Sequence, residues 1–137
     1  MYPEEIVVPM KEELTENGFS ELLTADDVNN TLKEKGTTLV MINSVCGCSA
    51  GTARPGVIMA VSQQGKKPDR LTTSFAGFDI DAVKNLRQHL LPYPPSSPAI
   101  ALFKDGQLVH FIERHNIEGR SAQMIANNLI SAFESYC

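Results

Sequence analysis

The sequence lacks a basic excess: formal net charge is -4 over 137 residues, so a nucleic-acid binder's electrostatic footprint is missing. It also lacks a long hydrophobic run. Stretches such as Ala99–Phe103 fall far short of the roughly 20 apolar residues that span a bilayer. The opening MYPEEIVVPMKEEL carries acids where a secretory leader needs a positive start and an apolar stretch. The expectation is therefore a cytoplasmic protein that engages neither membrane nor nucleic acid. Cysteines are few: Cys46, Cys48 and Cys137 make an odd count of three, which is not a secreted disulfide framework. Repeats, low-complexity tracts and linkers are missing too.

What is present has a globular balance. Hydrophobic residues make up 42% and charged residues 20%, which excludes a disordered chain. A single domain over residues 1–137 is expected. At this size folding buries roughly two-thirds of the unfolded surface, so neither disulfide nor metal staples are needed.

Spacing and punctuation predict helices over 3–17, 25–35, 49–64, 80–91 and 121–136. Ile6, Val7, Met10 and Leu14 recur at helical spacing, and Thr24 stands as an N-cap ahead of Asp26 and Asp27. Strands are predicted over 37–45, 70–76, 99–103 and 107–112. The first of these is apolar on both faces, as a central strand requires, and Asp105-Gly106 marks a hairpin between the last two. A β-α-β unit followed by a hairpin gives an α/β fold with helices on both faces of a central four-stranded mixed sheet. The order is similar to that of the thioredoxin-like fold, with extra N-terminal helices.

Cys46 and Cys48 fall where a buried strand turns into a helix, and unpaired N–H groups and the helix dipole there favour a thiolate. Lowering a thiol pKa from about 8.5 to about 6 raises the thiolate fraction at pH 7 roughly 30-fold. Intrinsic nucleophilicity falls about 10- to 20-fold in exchange, so the attack rate gains only about twofold to threefold. The larger benefit is a better leaving group, which suits a transfer catalyst. A Cys46–Cys48 disulfide closes a small ring that Gly47 helps to bend, and such a ring is easily reduced. Two other readings of the pair stay open. It could hold zinc, copper or a cluster, completed by Cys137, His89, His110 or His115, or its thiols could be inert. A redox sensor that binds a partner only when the pair is oxidised is a further possibility.

Ser96-Ser97-Pro98 places a proline directly before a predicted strand. That position suits either a cis bond or an ordinary trans proline opening an edge strand. Asn43 and Ser44 stand close enough in sequence to hydrogen-bond near a thiolate, or simply finish the strand. His110 and His115 read as ordinary polar residues near the last strand.

The stretch SPAIALFKDGQLV (97–109) resembles the cis-proline strand, turn and last strand of thioredoxins. INSVCGCSAGTARPG (42–56), FAGFD (75–79), PSSPAIALFKDGQLVHFIERHNIEGR (95–120) and ELTENGF (13–19) together resemble the bacilliredoxins, thioredoxin-like proteins with a Cys-Gly-Cys active site. The resemblance implies thiol–disulfide exchange without a cofactor, on S-thiolated or disulfide-bonded client proteins. It names bacillithiol as the low-molecular-weight thiol removed, and disulfide isomerisation as a related activity. Carried onto this chain, Cys46 is the attacking thiolate and Cys48 the resolving or modulating cysteine. Ser97 and Pro98 form the substrate-facing loop, and Gly47 between the cysteines is expected to meet the substrate with them. Arg54 is placed to receive a carboxylate of an acidic thiol, or is a solvated surface arginine. One spacer residue rather than two, and Val45 where thioredoxin carries tryptophan, depart from thioredoxin itself. Cys-Gly-Cys-Ser is also similar to the Cys-Gly-Phe-Ser of monothiol glutaredoxins, which bind iron–sulfur clusters.

Overall fold

A computed structural model describes all residues, 1–137. Its centre is β2 (Thr37–Asn43), a strand with every residue buried. Side chains alternate across a strand, so Leu39 and Met41 enter one core while Val40 and Ile42 enter the other. This double burial is why the segment carries no polar alternation. β2 pairs in parallel with β3 (Arg70–Phe75) and antiparallel with β4 (Ala99–Lys104), and β5 (Gln107–Ile112) closes that side as a hairpin with β4. Asp105 and Gly106 both take positive φ, 51° and 81°, as the tight hairpin demands.

The sheet has five strands, in the order β1-β3-β2-β4-β5, and not the four expected. The additional strand, β1 (Ser20–Glu21), is an exposed edge of two residues paired in parallel with β3. Two residues are too few for a hydrophobic period, so only the neighbouring strand reveals it.

Helices cover both faces. α1 (Glu4–Thr15), α3 (Arg54–Ser62) and α6 (Ala122–Tyr136) lie on one, burying Leu14, Val57, Leu129 and Phe133 against Leu39 and Leu102. α2 (Ala25–Leu32) and α4 (Ile80–His89) lie on the other, burying Val28, Leu32 and Leu86 against Val40 and Phe103. Thr24 caps α2 as expected, in a reciprocal box with Asp27. α5 (Arg114–Ile117) is a single short turn that periodicity does not reveal. Lys11 ties α1 to the body of the domain through Glu21 at 2.9 Å and Asp79 at 3.0 Å. No helix is long and apolar enough to cross a membrane.

α3 and α6 approach closely at Gly56. A Cβ there would lie 2.8 Å from the side chain of Ile125 and 3.1 Å from the Ala122 carbonyl oxygen. Gly56→Ala is expected to lower stability by about 1–3 kcal/mol through overpacking. Urea unfolding checks this: the midpoint falls while the slope stays constant. An unchanged midpoint would show that the two helices can separate at no cost.

Candidate active site

The predicted strand over 37–45 ends early, at Asn43, because the chain there bonds to its own side chains. Asn43 Oδ1 accepts from the Ser44 amide at 2.9 Å, Ser49 Oγ at 3.0 Å and Arg54 Nη1 at 2.9 Å. Its Nδ2 donates to the Met10 carbonyl of α1 at 3.1 Å. Ser44 Oγ then accepts the Cys46 amide at 3.0 Å, and the Cys46 carbonyl accepts the Ser49 amide at 2.9 Å. The cysteine loop is therefore held from behind by a buried polar network. Such networks are stabilising when every member is satisfied.

After Cys48 the chain enters a π-helical turn, Ser49–Ala53, before α3 begins; the expected helix over 49–64 is thus two kinds of helix. Arg54, the first residue after the wide turn, points inward. π-turns of this kind often mark functional sites.

The two sulfurs lie 2.7 Å apart, longer than the about 2.05 Å of a disulfide. They are inequivalent. The Cys46 pKa is lowered, first by the hydrogen bond from the Cys48 side chain; partial burial opposes this, while backbone donors of Cys48 and Ser49 and the charge of Arg114 assist. Cys48 is pushed up to about 11, by burial first and then by its bond to Cys46 and the charge there. When Cys46 ionises, the remaining proton stays on Cys48, which donates to the Cys46 thiolate.

Alkylation should report this asymmetry. Iodoacetamide is expected to label Cys46 with a pH midpoint below that of a free thiol, because the reactive thiolate forms at lower pH. Cys48 should label only after Cys46, because its pKa is pushed up to about 11 while Cys46 is uncapped. Peptide mass mapping across a pH series checks both; a Cys46 midpoint at or above that of free cysteine would overturn the assignment.

Sheet order decides what surrounds Cys46. The ends of β3 and the start of β4 flank the end of β2, so Ala76 and Gly77 border the sulfur on one side and Ser97 on the other. Together with Tyr2 and Arg114 they line a cleft of about 330 Å³ over Ser44, Val45 and Cys46. Pro98 is buried behind Ser97, and the bond between them is cis.

The family model described as "Disulphide isomerase" matches residues 2–137. A bacilliredoxin of Cytophaga hutchinsonii is 58% identical over 134 residues, covering 98% of each chain. Bacilliredoxins of Salinibacter ruber and Geobacillus kaustophilus are 50% and 47% identical over 99% of this chain, and over 81% and 94% of their own. The chain belongs to the bacilliredoxin family. Among solved structures, yeast mitochondrial thioredoxin 3 superimposes with a TM-score of 0.59 at 14% identity, covering 90% of this chain and 98% of its own. A Halobacterium salinarum thioredoxin variant gives 0.58 at 16%, covering 88% and 91%. The fold is the thioredoxin fold, and as a bacilliredoxin this protein is a thiol–disulfide oxidoreductase with a Cys-x-Cys pair.

Within this bacilliredoxin, Cys46, Cys48, Ser97 and Pro98 come together, but Arg54 does not act as expected. Its side chain is only 1% exposed, and its Nε pairs with Glu13 at 2.9 Å while Nη1 donates to Asn43 and Ser44. It has no surface to offer a ligand and serves the loop from within. Gly47 is exposed, and a Cβ there would meet nothing within 4 Å. Neither space nor a left-handed backbone requires glycine at that position. Cys137 sits beside Thr37, at the opposite end of β2 from the pair, with its pKa raised by burial. His110 bonds to Asn128 at 2.6 Å. No three or more His, Cys, Asp or Glu side chains stand together as a metal-binding group.

Two neighbours of the site escaped the sequence reading, Tyr2 and Arg114. Arg114 was accessible by topology: an antiparallel hairpin of equal strands returns the residues after β5 to the start of β4, beside Ser97. Tyr2 had no such signal.

Proposed function

We propose that this protein removes a low-molecular-weight thiol, bacillithiol in the first instance, from S-thiolated client proteins in a bacterial cytoplasm. The observation that carries this reading is the pair of sulfurs 2.7 Å apart, with Cys46 lining the cleft and its pKa lowered while that of Cys48 is pushed up to about 11. The Cys46 thiolate attacks the small-thiol sulfur of the mixed disulfide. A new S–S bond forms on Cys46 and the client cysteine leaves as thiolate with the electron pair. Capping Cys46 removes its charge and its claim on the Cys48 proton, two of the causes that raise the Cys48 pKa. Cys48 then ionises more readily and attacks Cys46, forming the Cys46–Cys48 disulfide and expelling the small thiol. An external thiol completes the cycle by reducing that disulfide. Ser97 and Pro98 border the approaching client.

Mass spectrometry of Cys48→Ala, recovered from its own cells, tests the proposal. A small-thiol adduct on Cys46 is expected. Protein adducts alone would replace the reading with disulfide isomerisation, and a bare Cys46 under oxidative stress would overturn it.

A further inference from the structure

The cleft over Cys46 carries one cation, Arg114, and no carboxylate in its lining. In a chain of net charge -4 that sets a cation beside the nucleophile, with its ion-pair partner Glu118 outside the lining. Arg114 is held loosely. Its Nη1 donates to the Ser97 carbonyl at 3.3 Å, and its Nε faces Glu118 at 3.4 Å, with both side chains about half exposed. A guanidinium has five N–H donors in a planar fork, so most of this fork is free. Its backbone amide also donates to Ser96 Oγ at 3.3 Å, anchoring the residue to the loop that borders Cys46.

We infer that Arg114 is a specificity-determining residue that pairs with a carboxylate on the exchanging disulfide, so that the cleft selects disulfides whose small-thiol half carries an acid near the sulfur. A volume of about 330 Å³, walled by Tyr2, admits the small-thiol half of such a disulfide. The inference rests on the reading that Cys46 exchanges with disulfides, and it specifies the chemical class. In each exchange the Cys46 thiolate forms a bond to one sulfur of the partner. The partner's own S–S bond breaks, and the second sulfur departs as thiolate; no outside oxidant or reductant takes part.

Arg114 has a second effect that must be separated from recognition. Its charge favours the thiolate form of Cys46, and this acts equally on every disulfide. Recognition acts only on partners that carry an anion. The ratio of rates for differently charged disulfides therefore isolates it.

The test uses three symmetrical disulfides: dithiodiglycolate (anionic), bis-hydroxyethyl disulfide (neutral) and cystamine (cationic). Their rates of reaction with Cys46 are measured in wild type, Arg114→Gln and Arg114→Lys, with circular dichroism confirming that each is folded. In Arg114→Gln the anionic-to-neutral ratio is expected to fall about fivefold, as for a partly exposed charge pair, while the cationic-to-neutral ratio holds or rises. Arg114→Lys should retain most of the preference, and added salt should erode it in wild type. Equal slowing of all three disulfides in Arg114→Gln, or no change in the ratio, would overturn the inference while leaving disulfide exchange standing. A wild type that reacts with none of them would overturn the exchange reading, and this inference with it.

Discussion

Cys46→Ser is expected to reduce thiol–disulfide exchange by at least about a thousandfold, because a hydroxyl in that place is neither ionised nor an acceptor of a disulfide sulfur. Cys48→Ala should behave differently. It keeps the attacking thiolate, so the first exchange survives, but the mixed disulfide on Cys46 waits for an external thiol and accumulates. Losing the Cys48 side chain also removes the leading cause of the lowered Cys46 pKa. The pH midpoint of Cys46 alkylation should therefore rise in Cys48→Ala. Single-turnover exchange with a small-molecule mixed disulfide, followed by intact mass, checks the first two outcomes, and alkylation across a pH series checks the third. Comparable activity in Cys46→Ser and Cys48→Ala would refute the division of labour between the sulfurs.

Arg54→Ala is expected to cost about 3 kcal/mol of stability, combining a cavity in the core with a Ser44 carbonyl left without its charged donor. For a chain of this size that corresponds to a fall in Tm of roughly 10 °C. Glu13→Gln offers the contrast. Glu13 is 47% exposed, so its pairing with Arg54 is screened, and its loss should cost less than about 1 kcal/mol. Thermal unfolding of the two variants separates them. If Arg54→Ala costs no more than Glu13→Gln, the guanidinium is not what holds the cysteine loop. Loosening Asn43 and Ser44 should also broaden the geometry at Cys46, visible as a changed alkylation rate in Arg54→Ala.

The reading of Arg54 illustrates where local pattern stops. At a helical period of 3.6 the residue falls early in a helix and reads as a surface cation, but the π-turn before it shifts that register and carries it inside. β1 was hidden for another reason: a strand of two exposed residues exists only because β3 offers it unpaired backbone groups. By contrast, the Asp105-Gly106 hairpin and the Thr24 cap were legible because each depends on neighbours a few residues away.

The amino-acid order alone determined the central buried strand, the helices on its two faces, the hairpin, and the placing of a cysteine pair where strand meets helix. Each is a matter of short-range period, capping or turn chemistry, which a linear chain displays directly. Only the tertiary structure decided how the two sulfurs face each other, which arginine lies behind the loop and which stands beside the cleft. Those outcomes depend on distances between segments as far apart as Glu13, Arg54 and Arg114, and on how deeply each charge is removed from water.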